Sequence, residues 1–209
     1  MVKLLHFGVD VVRWAAFWIF MIGSAMLVWP FYVVRNFLRL MLGGGYFPLG
    51  VALIAVDQAI KRWAVVALRD RPVPITLIPG LLDFKYVENT GAAFGILRGQ
   101  THVFIIMALL TIVIILLYLS LVEQEEPMVR VALVLILAGA VGNLVDRVVF
   151  DHVIDYIHVF YKDWEWPIFN LADSIINVGV GLIFIDFLID FFREEAQADP
   201  QSGGAGATI

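Results

Sequence analysis

The sequence predicts an all-α integral membrane protein: a bundle of membrane-crossing helices carrying a small β-element at one surface. Hydrophobic residues make up 61% of the 209-residue chain and charged residues only 16%. A soluble domain of this length exposes too much surface to hide that much apolar side chain. The apolar residues also gather into runs of about 20, the length a helix needs to cross a bilayer.

Five such runs follow in order. The first extends from Trp14 to Val34 and is interrupted by Pro30. The second, Tyr46 to Leu68, carries Asp57 and Lys61. The third, Val103 to Val122, is the most uniformly apolar. The fourth, Met128 to Phe150, has polar residues crowding its end, and the fifth is Ile168 to Phe192. Between the second and third, Pro72, Pro74 and Pro79-Gly80 punctuate two short strand-like stretches, Ile75 to Ile78 and Leu81 to Val87. Leu81, Leu82 and Phe84 are placed to touch lipid. A second non-helical patch, Asp151 to Trp166, holds Tyr156, Trp164 and Trp166, rings that favour the headgroup zone. Three segments result: a hydrophobic amino-terminal extension (1–45), a membrane domain (46–193) and a polar tail (194–209) whose composition predicts disorder.

The net charge of −5 offers no basic footprint for nucleic acid. With no cysteine, disulfides, thiolate nucleophiles and cysteine metal sites are excluded together. No His-Glu-x-x-His, Gly-x-Ser-x-Gly or Walker-type loop occurs, so no metal and no cofactor is expected. The first apolar run is not followed by a small-residue cleavage site, so a removed leader is not expected.

Charges in a bilayer core cost at least about 2.5 kcal/mol and need a reason to be there. Three clusters meet that description. Asp57 and Lys61 lie four residues apart and share a helix face, as a structural ion pair or as substrate ligands. Asn143, Asp146 and Arg147, with Gly139 and Gly142, close the fourth run, either as a packing network or as the support of a site. Asp155 and Asp173 stand where the chain leaves the membrane after Phe150 and returns near Ile168, with Asn170 three residues before Asp173. Two carboxylates held close do not both ionise readily, so such a pair can act as acid and base on one water, the chemistry of aspartyl peptide hydrolysis. Taken singly, they read as a loop aspartate and a helix-capping aspartate. From another class, a small ion- or proton-coupled transporter also keeps intramembrane carboxylates, although no internal repeat is visible.

Five stretches together resemble signal peptidase II, the lipoprotein signal peptidase family. They are Asp57-Gln58 with Lys61, Asn89-Thr90-Gly91-Ala92-Ala93-Phe94-Gly95, Gly142-Asn143-Leu144-Val145-Asp146-Arg147, Val153-Ile154-Asp155-Tyr156, and Phe169-Asn170-Leu171-Ala172-Asp173. The likeness runs from about Val51 to Phe192 in the family's order. It implies a four-helix transmembrane bundle with a small periplasmic β-cradle. It further implies that the family's catalytic dyad falls on Asp155 and Asp173, and its supporting polar residues on Asp57, Lys61, Asn89, Asn143, Asp146, Arg147 and Asn170. The implied substrate is a diacylglyceryl prolipoprotein in the bacterial inner membrane, cut before its lipidated cysteine. The implied inhibitors are globomycin-type cyclic depsipeptides, and a monomer is the expected state. The β-element is implied to be periplasmic, against a naive count of Arg69, Arg71, Lys85, Arg98 and Lys162, which would put it inside. The extension departs from the family pattern and is expected to span the membrane or to lie along its surface.

Overall fold

The computed structural model describes residues 35, 46–91, 97–121 and 126–198. The apolar run Trp14 to Val34 lies outside these residues. From Tyr46 onward the described residues belong to one compact unit, Gly45–Ile209. Its elements, in chain order, are α1 (Tyr46–Leu68), β1 (Ile75–Ile78), β2 (Leu82–Asn89), α2 (Thr101–Leu121), α3 (Pro127–Phe150), β3 (Val153–Tyr161), β4 (Trp164–Glu165) and α4 (Leu171–Ala198).

Local chemistry sets these limits. Pro127 opens α3, where a missing N–H costs nothing. Asp151 closes it in the left-handed conformation (φ 65°), returning its N–H to the Arg147 carbonyl at 3.1 Å. α4 is capped by Asn170 and runs from Leu171 through Ala198, past Glu194 where the sequence turns polar. Three segments, Thr101–Leu119, Pro127–Phe150 and Leu171–Glu195, are long and apolar enough to cross a membrane. α1 has the length but carries Asp57, Lys61 and Arg62. The outward faces of α2 and α4 are exposed and apolar, with Ile106, Leu110, Ile114, Phe184, Phe187 and Phe191 prominent. These features describe a multi-pass membrane protein.

α1, α2 and α4 all pack on α3. The α3–α4 contact is closest where side chains are absent. A Cβ on Gly139 would stand 2.5 Å from the Ala172 carbonyl oxygen, and one on Gly179 would stand 2.6 Å from that of Ala132.

The strands form one antiparallel sheet in the order β1-β2-β3-β4. In the β2–β3 pair, Val87 faces Asp155 and Asn89 faces Val153. Ile154 and Tyr156 pack with Ala64 and Leu68 of α1. Side chains alternate along a strand, so Asp155 is turned the other way. Phe84 packs inward, its ring edge-on to Trp63 (5.5 Å) and Tyr156 (6.1 Å), while Leu81 remains exposed. Tyr156 is buried, a correction to its grouping with the interfacial aromatics; Trp164 and Trp166 are exposed.

Candidate active site

The site assembles around the first turn of α4. A helix N-terminus leaves its first N–H groups without intrahelical partners, and here each finds one. Asn170 and Asp173 bond reciprocally: the Asp173 N–H donates to Asn170 Oδ1 at 2.9 Å, and the Asn170 N–H donates to Asp173 Oδ2 at 3.2 Å. This is a capping box written with Asn and Asp. The Ala172 N–H donates to Asp57 Oδ1 of α1 at 3.0 Å, and the Leu171 N–H donates to the Tyr156 hydroxyl oxygen of β3 at 3.3 Å. Burial pushes the Tyr156 phenol up to about 12, keeping it a hydroxyl. α1 and β3 thereby fix the turn that carries Asp173.

Asp155 arrives from β3 and is almost wholly buried. Both its oxygens accept amide hydrogens: Oδ1 from Asn170 Nδ2 at 2.7 Å, and Oδ2 from Asn89 Nδ2 at 2.8 Å. Asn89 is a diagonal neighbour of Asp155 across the β2–β3 pair. Its own Oδ1 accepts the Gly91 N–H at 2.9 Å, which sets the amide's orientation. Asp173 is half-exposed, and its Oδ1 accepts from Asn143 Nδ2 at 2.7 Å. Asn170 thus touches both aspartates, and the two carboxyls stand in one hydrogen-bonded cluster. Burial first, and the neighbouring Asp173 carboxyl second, push the Asp155 carboxyl up to about 7, against the pull of the Asn89 and Asn170 amides.

Beneath the pair lies a second polar layer. Lys61 Nζ uses all three of its hydrogens, on Asp57 (3.0 Å), Asp146 (2.8 Å) and Asn143 Oδ1 (2.9 Å). Lys61, Asp57 and Asp146 are essentially inaccessible to solvent. Asp146 also accepts from the Ile154 N–H at 3.1 Å and from Gln58 Nε2 at 2.9 Å. Asn143 Oδ1 further accepts from Asn170 Nδ2 at 3.1 Å, so the Lys61 layer connects to the aspartate layer through Asn143. Gly142 leaves room for Asp57: a Cβ there would stand 2.6 Å from its Oδ2.

Arg147 forms no ion pair among the described residues. Its guanidinium lies over the Phe104 ring of α2 at 4.9 Å and reaches the Gly91 carbonyl at 3.4 Å. Its charge acts on Asp173 and Asp155 through space.

The nine residues singled out from sequence therefore occur together. Sequence reasoning missed Gln58, Tyr156 and Phe104 as parts of the support. Gln58 had a signal, a polar residue beside Asp57 within an apolar run. Tyr156 and Phe104 are aromatic residues among many, and only the fold distinguishes them.

A family model described as signal peptidase (SPase) II matches residues 49–189. The lipoprotein signal peptidase of Symbiobacterium thermophilum is 40% identical over 141 residues, covering 68% of this chain and 92% of its own. That of Bacillus subtilis is 39% identical over 152 residues, covering 73% of this chain and 98% of its own. A solved bacterial membrane enzyme, determined by the in meso method, is similar with a TM-score of 0.66 at 29% identity, covering 80% of this chain and 95% of its own.

Proposed function

This chain belongs to the signal peptidase II family, and on that premise we propose that it is a membrane-embedded aspartyl endopeptidase. It removes the signal peptide from diacylglyceryl-modified prolipoproteins by cleaving before the lipidated cysteine. The observation that carries the reading is Asn170, whose amide binds Asp155 at 2.7 Å while it shares a capping box with Asp173. The rival reading, an ion-coupled transporter, finds no support among the relatives.

In this mechanism Asp155 and Asp173 hold one proton between them and one water against the scissile carbonyl. The ionised carboxylate takes a proton as the water oxygen bonds to the carbonyl carbon. The protonated carboxyl donates to the carbonyl oxygen, and the C–N bond breaks as the leaving amine is protonated. Asp155 carries the shared proton below about 7, the value to which burial and the Asp173 carboxyl raise it. Each of its oxygens already accepts one N–H, so the proton occupies a remaining lone pair, turned away from the two amides. Asn89, Asn143 and Asn170 orient the carboxyls, and Arg147 supplies positive charge where the tetrahedral oxygen develops. Asp57, Lys61 and Asp146 lock the support beneath.

We place α1 as the fourth membrane crossing of the bundle, in the bacterial inner membrane, with the sheet and the dyad at the periplasmic face. Supporting this, Asp173 lies in the first turn of α4, and the connection from β3 to α4 carries the exposed rings of Trp164 and Trp166. Globomycin-type depsipeptides would compete for the dyad, and the protein works as a monomer.

The test uses purified protein in detergent with two peptides of one sequence, one carrying the diacylglyceryl thioether and one not. Mass spectrometry should find a single product beginning at the lipidated cysteine, and no product from the unlipidated peptide. Cleavage elsewhere, or equal cleavage of both, would sink the assignment.

A further inference from the structure

The end of the bundle away from the dyad holds a groove of about 760 Å³ between α2, α3 and α4. Its walls are mostly apolar, with Tyr118, Leu133 and Phe187 among them, yet Glu126, Asp186 and Asp190 also line it. Among the described residues of the lining the one cation is Arg193, and its contact with Asp190, at 3.4 Å, is exposed and weak. Arg130, nearby on α3, is buried and has its own partner.

Asp186 is the telling residue. It sits within the apolar sequence Leu182-Ile183-Phe184-Ile185-Asp186-Phe187-Leu188 and is half-buried. It has no hydrogen-bond or ion-pair partner among the described residues. A carboxylate in an apolar span is expensive unless something pairs with it. It lies about 20 Å along α4 from Asp173, at the usual helical rise. The start of α3 lies about 30 Å from Arg147 along the same helix, matching the hydrocarbon thickness of a bilayer.

A signal peptide has the complementary chemistry, a positively charged leading region followed by an apolar stretch of about 7–15 residues. A peptide whose scissile bond lies at the dyad must send its leading end toward the opposite membrane face. The groove offers such a chain apolar walls, the unpartnered carboxylate of Asp186 and that of Asp190, held only by its exposed contact with Arg193. We infer that this groove is a substrate subsite in which Asp186 and Asp190 pair with the cationic leading region of the signal peptide, so that the enzyme reads the substrate at both membrane faces. This rests on the peptidase reading above.

The experiment compares two lipidated substrates in detergent, one with lysines in the leading region and one with glutamines there. The wild-type chain should show a KM about tenfold higher for the glutamine substrate, with kcat unchanged. The preference should vanish in the Asp186→Asn, Asp190→Asn double variant. That variant should process the glutamine substrate as the wild type does. An Asp186→Lys, Asp190→Lys variant should instead prefer a substrate with glutamates in place of the lysines, a result that a merely structural role would not produce. Equal KM values for wild type on the lysine and glutamine substrates would overturn the inference while leaving the peptidase reading intact. So would a lysine preference that survives in the double asparagine variant. Cleavage of neither substrate by wild type would overturn both.

Discussion

Replacing Lys61 with Met keeps the length of the side chain and removes its charge. Asp57 and Asp146, both wholly buried, would then face each other's charge without the ammonium that now binds them at 3.0 and 2.8 Å. Removing one member of a buried ion pair costs about 3–5 kcal/mol. Each aspartate keeps other donors, the Ala172 N–H for Asp57 and the Ile154 N–H with Gln58 for Asp146. The lower end, about 3 kcal/mol, is therefore expected. At about 2–4 °C per kcal/mol for a chain of this size, the melting temperature should fall by about 6–12 °C. Tryptophan fluorescence during heating in detergent measures this. A second variant, Lys61→Met with Asp146→Asn, removes one stranded charge and should recover part of the loss. A fall under about 2 °C for Lys61→Met, or no recovery in the pair, would refute the idea that Lys61 neutralises this layer.

The remaining predictions concern the site itself. Gly142→Ala puts a methyl 2.6 Å from Asp57 Oδ2, so Asp57 must shift from the α4 N-terminus; initial-rate assays should show a drop of about tenfold or more, with about 1–3 kcal/mol lost in thermal unfolding. If a singly protonated dyad is required, kcat should fall as pH rises through the Asp155 value of about 7, and a profile still rising at pH 9 would contradict this. The folded Asp155 value lies above its ordinary 3.8. Its contribution to stability is therefore fully present below 3.8 and is lost as pH rises through about 7, so the melting temperature should be higher at pH 5 than at pH 8. The Asn89 amide favours the ionised form of Asp155. Asn89→Leu should accordingly move the alkaline limb of the rate profile to higher pH, and a move to lower pH would refute that role.

Much of this molecule was legible in its sequence because polar groups are costly in lipid. Asp57, Lys61, Asn143 and Asp146 stand out against apolar neighbours, and their spacing on helices predicts shared faces. The strand Ile75–Ile78 was visible between prolines. β3 was not read as a strand, although Val153 to Tyr161 is rich in β-branched and aromatic residues; the aspartate and histidine within it obscure the pattern. That strand matters, because it turns Asp155 toward α4 while Ile154 and Tyr156 face α1. Sequence spacing also placed Asn170 and Asp173 within reach of one spot. It did not show the reciprocal capping bonds, nor that Asp57, 115 residues earlier in the chain, would cap the same helix. Those depend on the close α3–α4 packing at Gly139 and Gly142, which brings separate polar runs to one depth.

The central claim is that Asp155 and Asp173 act together on one water. Single-turnover cleavage of a lipidated prolipoprotein peptide by Asp155→Asn and by Asp173→Asn, each first shown to be folded by its thermal transition, tests this most directly. Both variants should lose at least about a thousandfold in rate, and the double variant should be no slower than either alone, because each removes the same acid–base unit. A folded single variant that cleaves within tenfold of the wild-type rate would contradict the claim.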